Sequence, residues 1–184
     1  GNLIWLAWTA GLSSGVDTWG PPPLQRMTEL FLEMNQSDID IRIANERRVP
    51  LAPLVRVHEL REGGAVMADE NVKVTATLVD HPPVVPASAY RFDASDRSVV
   101  ISGDTAPSPN LVKLAAGADV LVHSVMYPPA IDRLVARVPN AAALKASILA
   151  HQTSVEDAGR IAQDAGVKTL VLSHFVPPDD PAVT

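Results

Sequence analysis

The sequence predicts a mixed α/β fold in which helices pack outside a sheet, and three observations carry that reading. Leu24, Met27, Leu30, Phe31 and Met34 fall at helical spacing and mark one face of a helix over 24–34. From residue 54 the period drops to two, and Val55 and Val57 alternate with Arg56 and His58 as in a half-exposed strand. Beyond residue 110 helices and strands alternate, the order that places helices against a sheet.

The remaining elements follow in chain order. Residues 3–12, with Ile4, Trp5, Trp8 and Leu12, read as a short buried helix, and 16–19 as a strand stopped by Gly20-Pro21-Pro22-Pro23. Residues 35–49 mix acids, bases and amides and read as loop. Gly63-Gly64 marks a turn before the β-branched strand 72–79, and 89–92 pairs with 98–102 about a turn at 93–97. A helix at 111–116, a strand at 119–124, helices at 131–138 and 154–165 and a last strand at 168–173 complete the series. Ser154 and Asp157 make a capping box with Asp in place of the usual Glu. There is no internal repeat and no clear linker, so the expectation is a single domain over 1–184.

Composition narrows the class. The chain has 184 residues, 47% hydrophobic and 20% charged, ordinary for a globular domain with a real core. Its net charge is −6 and it has no Lys/Arg cluster, so the basic footprint of a phosphate-gripping protein is missing. The absence of cysteine excludes disulfides, thiolate ligands and a Cys nucleophile. The apolar opening at 3–12 is too short to span a bilayer, which leaves cytoplasm and periplasm both open.

Chemistry gathers at strand ends. Four apolar runs lead into Asp80-His81, Ser102-Gly103-Asp104, His123 and Ser173-His174, and each is followed within five residues by proline. Sites in α/β proteins assemble outside the carboxyl ends of strands. Three imidazoles and a carboxylate gathered there suit a transition metal such as Zn, Mn or Fe. His58 lies mid-strand beside Arg56 and reads as solvated.

These runs also resemble a known family. Asp80-His81-Pro82-Pro83-Val84-Val85-Pro86-Ala87 with Tyr90-Arg91-Phe92, and Ser102-Gly103-Asp104-Thr105, are similar to the ribonuclease Z and arylsulfatase-like branch of the metallo-β-lactamase superfamily. So are Val122-His123-Ser124-Val125-Met126-Tyr127, His151-Gln152-Thr153-Ser154, Leu172-Ser173-His174-Phe175 and the turn Trp19-Gly20-Pro21-Pro22. The resemblance implies an αββα sandwich with two divalent metals, zinc first among the candidates. It assigns His81 to the first metal, Asp104 as the bridge, His174 to the second, and His151 as the proton donor. A metal-held hydroxide would then attack phosphorus, sulfur or carbonyl centres.

Two departures qualify it. The family's His-x-His-x-Asp-His motif is missing, since no two of the five histidines lie closer than 23 residues. This chain is therefore expected to start just after that motif, with the sandwich incomplete on its N-terminal side. The Glu that usually orients the proton-donating histidine is Ser124 here, a hydroxyl that can orient an imidazole but cannot stabilise its cation. Ribonuclease Z proteins also carry a long arm between the residues matching His81 and Asp104, which are only 23 residues apart here. That gap and the acidic charge point to a small-molecule ester (arylsulfate, phosphodiester or lactone) and away from tRNA, nucleic acid and membrane. The alternatives are tRNA 3′-end processing and an inactive module of the same fold. His81, Asp104 and His174 are expected to meet at one sheet edge, with Ser124 nearest the His151 ring. The chain alone is expected to bind metal weakly and to associate, for instance as a homodimer, through uncovered apolar surface.

Overall fold

The computed structural model describes residues 1–139, 141–178 and 180. The chain packs as two compact units, Gly1–Arg61 and Glu62–Thr184. Among the described residues no helix is long and apolar enough to cross a membrane.

The first unit is built on a parallel pair of strands. Helix α1 (Asn2–Thr9) precedes β1 (Val16–Gly20), then come helices α2 (Leu24–Met34) and α3 (Gln36–Glu46), and β2 (Val55–Glu59) pairs with β1. Trp8, Ile39 and Leu51 form its core, with Trp5, Leu32 and Val55 packed around them. The Trp8 indole N–H donates to the Val49 carbonyl at 2.9 Å, so burial leaves it satisfied. Helix α1 is buried on that side only, because Leu3 and Leu6 are exposed. Helix α3 replaces the expected loop. Its Ile39 and Ile43 face the core, and Arg42 bonds both Asp38 and Glu46 one turn away on either side. The charges that read as loop are those i,i+4 pairs.

The second unit is a six-stranded sheet in the order β3-β4-β5-β6-β7-β8. Strands β3 (Gly64–Ala68), β4 (Val72–Val79), β5 (Ala87–Ala94) and β6 (Ser98–Ile101) form an antiparallel meander. Helix α4 (Pro109–Ala115) leads to β7 (Val120–Met126), which is parallel to β6. Helices α5 (Pro128–Val135), α6 (Ala141–His151) and α7 (Val155–Ala165) lead to β8 (Thr169–Val176), parallel to β7. Strand β3 and helix α6 are absent from the sequence reading. Helix α6 reads AAALKASILAH, with too few polar residues to set a phase, so no helical stripe stands out.

Helices α4 and α7 cover one face of this sheet. Val79, Ala89, Val100 and Leu121 point into them against Leu111, Ala115, Ile161 and Ala165. Ser154 caps α7 by accepting the Asp157 N–H at 3.0 Å, as expected, while its hydroxyl turns to the Asp157 carboxylate rather than completing the box. On the other face Ile101, Val122 and Val171 sit side by side across β6, β7 and β8, with Ile101 and Val171 exposed. Helices on one face of the sheet, and on the other an apolar row that includes the exposed Ile101 and Val171, make this unit a layered mixed α/β structure.

Asp119 latches the starts of the three parallel strands. Its carboxylate accepts from Lys168 Nζ at 2.6 Å and from the Ser98 N–H and hydroxyl at 2.7 and 3.0 Å. Lys168 first, then Ser98, hold its carboxyl down at about 2. A depressed carboxyl contributes stability above its unfolded value and loses it as pH falls through the folded one. The wild type should therefore lose this contribution between about pH 4 and pH 2. Asp119→Asn should lower the urea midpoint at pH 7 and remove that part of the acid loss, which urea titrations at pH 7, 4 and 2.5 check.

Candidate functional site

The loops beyond β4 and β6 and the segment entering α7 are bolted together by buried threonines. Thr105 and Thr153 are both fully buried. The Thr153 hydroxyl donates to the Thr105 carbonyl at 2.6 Å, and the Asp80 N–H donates to the Thr105 hydroxyl at 3.2 Å. The Ala106 N–H returns to the Asp80 carbonyl at 2.7 Å, and the Met126 N–H donates to the Thr153 carbonyl at 2.8 Å. Each of the three segments carries one candidate side chain: His81, Asp104 and His151. Gly103, at φ +62, turns the chain out of β6 toward Asp104.

His174 reaches the same region by a different device. The register between β7 and β8 slips by one residue between Ser124 and Met126, so β8 bulges at His174 and Phe175. His174 takes φ +47 there, an uncommon backbone for a residue with a side chain. The bulge brings its Nδ1 to 3.2 Å from Asp104 Oδ1. Strand β8 thus runs on to Val176, three residues past its expected end, and His174 lies in the bulge rather than beyond the strand.

The His81 ring lies against the His151 ring, with centroids 4.6 Å apart. His151, the last residue of α6, has a buried Nδ1 with no hydrogen-bond partner among the described residues. Burial lowers its pKa first and the His81 charge lowers it further, while Asp104 pulls the other way. The side chains of His81, Asp104 and His151 therefore share one electrostatic neighbourhood.

Two expectations change. Ser124 is not the partner of His151: its hydroxyl donates to the Gly103 carbonyl at 2.8 Å and its N–H to the Ser102 hydroxyl at 3.1 Å. It serves the Asp104 turn instead. His123 is not a strand end, because β7 continues to Met126 and buries it completely. Its Nδ1 bonds the Ser124 carbonyl at 2.7 Å, which makes that nitrogen the donor, and burial lowers its pKa. Thr105 and Thr153 stand inside the Ser102–Thr105 and His151–Ser154 motifs, but the bond between them joins segments far apart in sequence and leaves no local pattern.

A metal needs three or more donors converging on one point. Among the described residues no group of three or more His, Asp or Glu side chains could hold an ion. What converges is two pairs, Asp104 with His174 and His81 with His151. Among the described residues these donors do not form a metal centre by themselves. Beside the first pair lies a cleft of about 120 Å³ floored by Ile101 and Val122. A larger groove of about 490 Å³ between α4 and α7 carries none of these four side chains.

A sheet with helices on one face and His and Asp side chains beyond its strand ends is the layout of a metallo-β-lactamase-type hydrolase. Residues 18–175 match the model described as the Beta-lactamase superfamily domain. The chain is 33% identical over 180 residues to a ribonuclease Z of Mycobacterium tuberculosis strain H37Ra, covering 96% of this chain and 63% of that protein. It is 36% identical over 183 residues to a ribonuclease Z of Mycobacterium sp. strain KMS, covering 98% and 62%. Human tRNase Z, short form, superposes with a TM-score of 0.63 at 19% identity over 94% of this chain and 66% of that one. The chain belongs to the beta-lactamase superfamily, in its ribonuclease Z-like branch, a family of hydrolases whose fold binds divalent metals such as zinc. It spans a little under two thirds of the length of these two mycobacterial relatives.

These relatives overturn one expectation. The preference for a small ester and the exclusion of nucleic acid rested on net charge and on the short span from His81 to Asp104. Proteins matched along nearly the whole chain, at a third identity or better, are ribonucleases Z. Neither total charge nor one loop length defines the substrate in this fold, because local surface decides what docks.

The His151 environment generates a titration prediction. A histidine held below its ordinary 6.5 costs stability as pH falls below that value, because the unfolded chain takes up the proton first. The His151 ring should titrate below 6.5 by NMR, and His81→Gln should raise its midpoint by removing a neighbouring cation. An unchanged or lowered midpoint in that variant contradicts the pairing.

Proposed function

We propose that this chain forms part of a ribonuclease Z-type endoribonuclease that cleaves a phosphodiester in tRNA. The observation that carries the proposal is the meeting of Asp104 and His174 at 3.2 Å beside His81 and His151, all within the span shared with the mycobacterial ribonucleases Z. In this reading His81, Asp104 and His174 are ligands for divalent metal, zinc foremost, and other donors complete the coordination. Bound metal supplies charge for the developing phosphorane and an acidified water.

The chain's own contribution is positional. The threonine bolt fixes Asp104 relative to His151, and the β8 bulge fixes His174 relative to Asp104. His151 stands where it can hydrogen-bond the departing oxygen. Burial, with His81 alongside, lowers its pKa, so the ring is mostly neutral near pH 7 and acts on the departing oxygen as a hydrogen-bond donor. Ser124 cannot change that, because its hydroxyl is committed to Gly103.

The test joins this chain to the part of the strain KMS relative that it does not span, and measures metal content and cleavage of a precursor tRNA carrying a 3′ trailer. The chimera should cleave the RNA, and His151→Ala should reduce cleavage by about 10²- to 10⁴-fold with metal content unchanged. Asp104→Ala should lose both metal and activity. A folded, metal-loaded chimera that leaves the RNA intact refutes the proposal.

A further inference from the structure

His58, read from sequence as merely solvated, is pinned in place. It lies opposite Trp19 in the β1–β2 register, and the two rings stack with centroids 5.0 Å apart and planes 15° from parallel. Its Nε2 is 2.8 Å from Asp17 Oδ1. Arg56, directly opposite Asp17, grips the same carboxylate through Nε at 2.9 Å and through Nη2. Residues two apart on a strand share a face, so Asp17, Trp19, Arg56 and His58 form one surface. Val55, one residue out of phase, turns instead to the core of the unit.

This surface is ordered and open together. The Arg56 and His58 side chains are 55% and 45% exposed, while the carboxylate between them is 28% exposed. Gly15 leaves room for this arrangement: a Cβ there would meet Arg56 Nη1 at 2.1 Å, so a side chain at this position would push the guanidinium aside. Arg56 and His58 hold the Asp17 carboxyl well below the usual carboxylate range, so it stays ionised and keeps orienting both partners. Exposed ion pairs contribute little stability, so the ordering is not explained by folding alone. All six cations of this unit are arginines, the side chain that combines phosphate bonding with stacking.

We propose that this face of the β1–β2 ribbon is a subsite for unpaired RNA, with a base stacking on the Trp19–His58 pair and the adjacent phosphate taken by the free edge of Arg56. The inference rests on the ribonuclease reading and adds to it a contact surface in the first unit. Unpaired nucleotides are the fitting partner because their bases offer a free π-face to a stacked aromatic pair, whereas a duplex offers none. One guanidinium next to one stack spans about one nucleotide, so the subsite holds a single residue of a flexible end or loop.

The test uses the 184-residue chain with two fluorescein-labelled probes, an eight-nucleotide oligouridylate and a precursor tRNA with a 3′ trailer, read by anisotropy at several salt concentrations. Trp19→Leu should weaken oligouridylate binding about 10-fold or more, and Trp19→Phe, which keeps a stacking ring, should restore most of it. Arg56→Gln should weaken binding of both probes and reduce the salt slope by about one. Wild-type affinity in both Trp19→Leu and Arg56→Gln, each confirmed folded by circular dichroism, overturns the subsite while leaving the ribonuclease reading intact. Failure of the wild-type chain to bind either RNA at low salt overturns the subsite, and cleavage by the chimera then shows whether the ribonuclease reading falls with it.

Discussion

The Thr153–Thr105 hydrogen bond is the constraint on which the rest of the site depends. It joins the segment entering α7 to the loop leaving β6, and Thr105 in turn holds the backbone leaving β4. Both threonines are fully buried, so each unmade bond would leave a polar group stranded in the core. His81, Asp104 and His151 arrive from segments far apart in sequence, yet their relative placement is set by backbone groups locked below the surface. Side chains at the rim can therefore change while the frame that presents them stays fixed.

The sheet is secured at its opposite end by another polar device. Asp119 gathers the starts of β6, β7 and β8 with bonds to Ser98 and Lys168. Between that latch and the threonine bolt runs an apolar body in which Val100 and Leu121 pack under α4 and α7. Polar specificity at both ends with greasy packing between them suits a hydrolase scaffold. Burial supplies the driving force, and hydrogen bonds choose the register.

Much of this was legible in the residues. Strands β4 to β8 could be anticipated from apolar, β-branched runs and their stops, though β3 could not, and two of the strand-end motifs supply the Asp104 and His174 side chains that lie 3.2 Å apart. What escaped was information that no single segment holds. Helix α6 was hidden by its uniform apolarity, and α3 by charges that prove to be intrahelical pairs. His123 reads as a strand end because the sequence does not show that β7 continues, and Ser124 reads as a partner for His151 because it stands where the resembling family carries the Glu that orients that histidine. Only the fold shows that the Ser124 hydroxyl is spent on Gly103. The substrate inference failed for a related reason: total charge averages over surfaces, and the ordered Arg56–Asp17–His58 cluster leaves almost no trace in a sum.

The bulge in β8 makes the spacing of that strand a coded quantity. In an unbroken strand successive side chains alternate between faces, so losing or gaining one residue exchanges inside for outside. Here the extra residue at His174 is what lets the imidazole face Asp104 while Val176 stays in step with Met126. Single-residue deletions between Thr169 and His174 would therefore be far more damaging than substitutions at the same positions. Lineages that drift freely in composition along β8 should still keep its length, counted from Thr169 to His174, as a fixed frame.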